Sequence, residues 1–255
     1  MKKNKYSYSK IYYPTPKRKE GFYISTKSIK FLIIFLLFGS LVYFLFLSSF
    51  FNLKNIIIEG EPDENLKTEI YKLKDKNILF IDQSELENKI TKEYPINKSI
   101  IVYKGLPDSL KISIEKRSRF LIWQTGGKYF SLDDEGIAYE EMDSLPADNQ
   151  VAVVDDRKNV PTILGQRIVV PEFIIFVKKA LDIIPAKAGV KIQNIGVEES
   201  TYHLFLKTSD GWQIIMDISK PIEEQNDDLN LILSKYKDQI REYIDLRVSG
   251  RVYYK

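Results

Sequence analysis

The sequence predicts an α+β protein anchored by a single membrane helix, and three observations carry that prediction. Residues 31–51, FLIIFLLFGSLVYFLFLSSFF, contain no charged side chain. Residues 53–119 then read as strand, helix, helix, strand, strand. Residues 120–255 read mostly as short alternating strands with two helices, as expected of a largely antiparallel sheet.

At about 1.5 Å per helical residue the apolar run spans about 30 Å, the hydrocarbon thickness of a bilayer. Residues 1–30 carry nine basic side chains against one acid, Glu20, a net +8, so the rest of the chain carries −5 within a total of +3. The overall basicity therefore gives no reason to expect nucleic acid as a partner. It places the N-terminus in the cytoplasm and the bulk of the chain outside. The apolar run exceeds a usual signal-peptide core, and no A-x-A site follows it, so an uncleaved anchor is expected. Residues 1–30, polar and Pro-punctuated, cannot bury a core and are expected to be a disordered tail. The chain has no cysteine. That excludes disulfides, thiol catalysis and thiolate metal sites.

Beyond the span, LKNIIIEG (53–60) is a β-branched strand ending at Gly60. In DENLKTEIYKL (63–73), Leu66, Ile70 and Leu73 fall at helical spacing behind Asp63. Ser84 followed by Glu87 predicts a capping box for a second helix that Pro95 stops. SIIVYKG (99–105) and SLKISIEKRSR (109–119) are strands; the second buries Leu110, Ile112 and Ile114. This is a β-α-α-β-β unit.

In the second half, Gly126-Gly127 and Ser209-Asp210-Gly211 mark hairpins. Residues 140–161 read as irregular, with a short apolar run at 151–154. PEFIIFVKKALDII (171–184) opens on a proline suited to a first helical position. IQNIGVEE is a short strand, and NDDLNLILSKYKDQI an amphipathic helix. The last segment alternates almost without a break: Ile244, Leu246, Val248, Val252 and Tyr254 on one face, Asp245, Arg247, Ser249 and Arg251 on the other. It reads as one half-buried strand, with Gly250 marking a bulge or a close backbone approach.

A catalytic constellation does not emerge. His203 is the single histidine and sits in a strand, where packing or rim roles prevail. Ser-x-x-Lys occurs at Ser7, Ser113 and Ser234 without the companion motifs of an acyl-enzyme family. Acidic turns such as Asp133-Asp134-Glu135 and Asp155-Asp156 are expected to be solvated. No cofactor or metal is expected, and the residues favour a non-enzymatic binding or scaffold protein.

The segments FNLKNIIIEG, KNILFIDQSELENKITKEYP, NKSIIVYKGLPDSLKISIEKRSRF, KYFSLDDEGIAY and IDLRVSGRVYYK, in this order, resemble the FtsQ/DivIB family of bacterial cell-division proteins. The family's Glu-Arg strand end is interrupted here as Glu115-Lys116-Arg117. The resemblance implies that 53–119 is a POTRA domain and 120–255 a β domain ending in an edge strand. It implies a bitopic divisome scaffold at the septum, binding coiled-coil membrane proteins similar to FtsB/DivIC and FtsL and regulating septal peptidoglycan synthesis. Carried over, the partner-binding edge is Ile244, Asp245, Leu246, Arg247, Val248, Ser249, Gly250, Arg251, Val252 and Tyr253. Arg247 and Arg251 are the side chains expected to choose an acidic partner segment, with the preceding helix as a possible wall. The alternative is a POTRA-containing envelope adaptor for protein export or assembly.

Overall fold

The computed structural model describes residues 9–14, 25–147 and 150–255. Most of the expected tail therefore lies outside the described residues. The chain divides into two units, 1–50 and 51–255.

In the first unit, helix α1 (Thr26–Val42) begins five residues before the predicted span. Ser25 explains the early start: its side-chain oxygen accepts from Ser28 N at 3.2 Å and caps the first turn. The helix continues through a wider turn at Tyr43–Leu47 and a tighter one at Ser49–Phe51. The whole stretch Thr26–Phe51 is long and apolar enough to cross a membrane, and no part of its most apolar window is buried within the structure.

The second unit holds two sheets over two separate cores. The first sheet contains β1 (Asn55–Glu59), then, after two helices, β2 (Asn97–Gly105) and β3 (Ser109–Lys116), in the order β1-β3-β2. β1 runs parallel to β3, and β2 antiparallel to it. The helices are α2 (Glu64–Tyr71) and α3 (Gln83–Glu93). Leu66 and Ile70 of α2 and Ile90 of α3 meet Leu110, Ile112 and Ile114 in one cluster. Each such side chain removed from water contributes about 1.5–3 kcal/mol. Gly60 is required where it stands. Its φ is +103°, and a Cβ there would lie 2.1 Å from the Ile114 carbonyl oxygen.

The expected capping box is corrected. Asp82, not Ser84, caps α3, accepting from Glu85 N at 3.0 Å. Glu87 turns away from the helix end and accepts from Val102 N at 2.7 Å, while Gln83 Nε2 donates to Val102 O at 2.6 Å. Two helix side chains thus occupy the backbone groups of β2 at that point on the sheet edge.

The second sheet has nine strands. In chain order they are β4 (Leu121–Thr125), β5 (Lys128–Leu132), β6 (Ala138–Met142), β7 (Ala152–Asp156), β8 (Ile192–Val197), β9 (His203–Thr208), β10 (Gln213–Asp217), β11 (Tyr243–Val248) and β12 (Arg251–Tyr254). Their spatial order is β12-β11-β10-β9-β8-β7-β4-β5-β6. The pairings β4–β7, β7–β8 and β10–β11 are parallel and the others antiparallel. Two helices, α4 (Pro171–Ile183) and α5 (Ile222–Tyr236), pack through Phe173, Val177, Leu229 and Ile232 into the same core as the strands.

Three readings of the sequence change here. The run near 151–154, taken as part of an irregular segment, is the interior strand β7, with Val154 fully buried. Helix α5 begins at Ile222, a turn earlier than the polar-to-apolar pattern suggested, directly after Pro221, whose ring cannot continue an extended strand pairing and which stands at the N-cap. The final segment is a hairpin, not one strand: Ser249 and Gly250, the latter at φ +70°, turn the chain so that β12 pairs antiparallel with β11.

The reason the alternation concealed that turn is a matter of parity. A two-residue turn pairs Val248 with Arg251, which would place even positions of one strand beside odd positions of the next. An irregularity between Asp245 and Val248 inserts one extra residue, so Ile244 pairs with Tyr254 and Asp245 with Tyr253. Even-numbered residues then share a face on both strands, as they would on a single straight one.

Two ion pairs join the two sheets' regions. Arg117 Nη1 contacts the Asp133 carboxylate, which is fully buried, and Arg117 Nε donates to Pro95 O at 3.1 Å. Lys98 Nζ lies 2.8 Å from Asp134 Oδ1. The acidic turn expected to be solvated is therefore a built joint: Asp133 Oδ1 also accepts from Glu135 N at 3.0 Å and Ile137 N at 2.8 Å.

Candidate functional site

The candidate residues fall on the terminal hairpin, and β12 is one of the two outer strands of the nine. β11 pairs with β10 through Tyr243–Asp245 and with β12 through Ile244, Asp245 and Val248, so it is not the outermost strand, contrary to the single-strand reading. The open backbone belongs to β12. Lys255 N donates to Tyr243 O at 3.1 Å and Lys255 O accepts from Tyr243 N at 3.3 Å, which makes Tyr243 and Lys255 a hydrogen-bonded pair. In an antiparallel ladder such pairs alternate, so Tyr253 faces β11 while the N–H and C=O of Val252 and Tyr254 point outward. Lys255 O also accepts from Arg241 N at 2.8 Å and Glu242 N at 2.6 Å, pinning this strand to the start of β11.

The side chains divide by face. Ile244 and Leu246 are buried and belong to the main core; Val252 and Tyr254 pack against it from the edge. Tyr254, which the sequence reading left out of the site, stacks on Tyr236 of α5 with ring centroids 5.4 Å apart and planes at 25°. The sequence signal for it was its place in the apolar series; its partner on a helix was not legible. On the opposite face, Arg247 is engaged with Asp245: Nη2 to Oδ2 at 2.7 Å and Nε to Oδ1 at 2.9 Å, with Arg247 N also donating to Oδ1 at 3.0 Å. Partial burial disfavours the charged form of Asp245, but the hydrogen bonds from Arg247 outweigh it and hold the carboxyl below its usual range. The same pairing raises Arg247.

Arg247 Nη1 also lies 3.4 Å from His203 Nδ1 on β9, and Arg247 O accepts from Lys220 Nζ. His203 is thus a neighbour of the candidate site across the sheet face. Arg251 differs from Arg247. It is exposed and, among the described residues, has no ion-pair partner. Val248 and Tyr253 are 43% and 48% exposed, and Ser249 and Gly250 form the exposed turn.

The arrangement brings together an outer strand with outward backbone groups, an exposed Arg251 and a partly buried Asp245–Arg247 pair. Among the described residues, no group of three or more His, Cys, Asp or Glu side chains is placed to hold a metal ion.

Comparison with known proteins agrees with the fold of the first sheet. The family model for the POTRA domain, FtsQ-type, matches residues 51–117. Curated relatives include Cell division protein FtsQ of Rickettsia typhi, 29% identical over 113 residues that cover 43% of this chain and 42% of the relative. The protein of the same name from Chloroflexus aurantiacus is 25% identical over 121 residues, 48% of this chain and 43% of the relative. That from Rickettsia felis is 30% identical over 115 residues, 43% and 42% of the two chains. The matched region spans under half the length of these relatives.

Proposed function

We propose that this chain, a member of the FtsQ/DivIB family by its FtsQ-type POTRA domain and its FtsQ-named relatives, is a non-enzymatic bitopic scaffold of the bacterial division machinery. In this reading Thr26–Phe51 spans the cytoplasmic membrane once, the basic N-terminus is cytoplasmic, and the sheets lie outside at the septum. Residues 53–119 and 120–255 are its two folded domains, a division that the two separate cores support. The scaffold links early and late division proteins and regulates septal peptidoglycan synthesis through small coiled-coil partners of the FtsB/DivIC and FtsL kind.

The observation that carries the proposal is the open edge of β12. Its outward backbone groups at Val252 and Tyr254 suit strand addition, in which main-chain hydrogen bonds supply affinity. Side chains then select the partner. Arg251, which pairs with no carboxylate among the described residues, attracts an acidic residue on the incoming strand, whereas Arg247 is already neutralised by Asp245. Beneath the edge, Tyr236 and Tyr254 give the added strand an apolar wall on the α5 side.

The test is co-purification of FtsB/DivIC-type and FtsL-type proteins from membranes with the full chain and with Val252→Pro. Proline removes an outward N–H while leaving the inward bonds of Tyr253 and Lys255, so the hairpin remains. Loss of the partners, with an unchanged circular dichroism spectrum, supports docking at β12. Retention sends the site elsewhere on the chain. Absence of division proteins even with the unaltered chain favours the export or assembly adaptor.

A further inference from the structure

We propose a second binding site, for a small zwitterionic ligand of amino-acid or dipeptide size, in the cleft at the carboxyl ends of β4, β7 and β8. Three independent features meet there.

The first is topology. β8, β7 and β4 are adjacent and mutually parallel. From the carboxyl end of β4 the chain turns toward β5; from that of β7 it leaves toward β8, on the opposite side. The connections diverge between β4 and β7, so the sheet leaves a crevice at that point. In open sheets with parallel strands, ligands bind in such a crevice outside the carboxyl ends. Here the cleft measures about 290 Å³. That is just under the range of about 300–1,000 Å³ for drug-sized ligands, which points to something smaller.

The second is an unmet donor. Trp123 of β4 lines the cleft and is 2% exposed, yet its indole Nε1–H has no hydrogen-bond partner among the described residues. A buried donor in this condition is costly, and because the nitrogen itself is closed to solvent, an acceptor in the cleft reaches it only when the side chains around it shift.

The third is charge. Lys158, from the loop after β7, and Glu199, from the loop after β8, both line the cleft. Both are exposed, and among the described residues neither forms an ion pair, with the other or with anything else. They therefore stand more than the 4.0 Å of an ion pair apart, with space between them. A ligand with a carboxylate at one end and an ammonium at the other bridges that gap, its carbonyl toward Trp123 and its side chain against Val160, Pro161 and Ile168.

The loop after β7, which carries Lys158 and Val160, is fixed beforehand. The buried Asp156 carboxylate accepts from Lys158 N at 3.1 Å, Val160 N at 2.9 Å and Thr125 Oγ1 at 3.2 Å. Preorganisation of this kind lowers the ordering cost of binding.

The experiment is titration of the full chain in detergent with glycyl-valine, followed through its two tryptophan indole N–H resonances. The Trp123 resonance is identified by its loss in Trp123→Phe. The expected result is a saturable shift of the Trp123 signal with that of Trp212 unmoved. The same dipeptide, acetylated and amidated so that both charges are gone, should leave both signals in place. Lys158→Gln and Glu199→Gln should each weaken the effect about tenfold or more, since each removes one charged anchor. No shift by about 10 mM dipeptide, an equal response to the blocked dipeptide, or unchanged affinity in both variants overturns the proposal.

Discussion

Arg247 folds back along its own strand onto Asp245, joined by a two-pronged contact of 2.7 and 2.9 Å on the half-buried polar face of β11. The pair has a consequence in acid. Asp245 ionises more readily folded than unfolded, because the hydrogen bonds from Arg247 exceed the opposing effect of burial. A depressed carboxylate contributes stability that is fully present above its unfolded value near 3.9 and lost as pH falls through the lower folded value. Denaturant unfolding of the native chain and of Asp245→Asn should therefore differ most above about pH 4 and converge below it. An equal difference across the whole range would remove Asp245 as the titrating group.

The Arg117–Asp133 joint behaves differently because both side chains are nearly or fully buried, at 9% and 0% exposure. Removing one partner strands the other charge. Arg117→Met should cost about 3–5 kcal/mol, read as a lower unfolding midpoint in denaturant. Replacing both residues by apolar ones should cost much less than the sum of the single changes, unless Pro95 O and the two amides bound to Asp133 dominate.

On the first sheet, Glu87→Ala deprives Val102 N of its acceptor. The expected loss is about 1–3 kcal/mol. A freed edge also invites pairing between chains, so sedimentation velocity should show more self-association than in the native protein. A purely monomeric variant would mean that Gln83, still bonded to Val102 O, suffices to close the edge.

Asn226 offers the opposite sign. It is 0% exposed on α5, and neither its amide nitrogen nor its oxygen has a partner among the described residues. Replacing an unsatisfied amide with an apolar side chain of similar size removes that penalty. Asn226→Leu should raise the thermal midpoint, by an amount corresponding to about 1–2 kcal/mol. A lower midpoint would show that the added methyl groups overfill this part of the core.

Much of the fold was legible because local signals were strong and uncontested. Asp63 stands where it caps α2, accepting from Leu66 N at 2.8 Å, and Pro171 opens α4. The apolar spacing of Leu66 and Ile70, and of Leu110, Ile112 and Ile114, reports their burial directly. Signals failed where two local solutions competed. Asp82 and Ser84 are both good caps, and the choice fell to Asp82 because Glu87 was drawn to the edge of β2. Short strands also escaped: β7 has only five residues, and what makes it a strand is the parallel neighbour on each side.

The candidate site divides in the same way. By itself the sequence determined that the chain carries one span-length apolar helix, that a β-α-α-β-β unit follows, and that the last residues alternate with an apolar face. Periodicity reports burial, and burial is set by the solvent. Tertiary structure decided the rest. It decided that Gly250 is a turn, that the open edge is β12 and not β11, and that Arg247 is already paired while Arg251 has no ion-pair partner among the described residues. Those outcomes depend on which strand lies beside which and on which charges the sheet brings within reach, and pairings between distant residues leave no period in the chain.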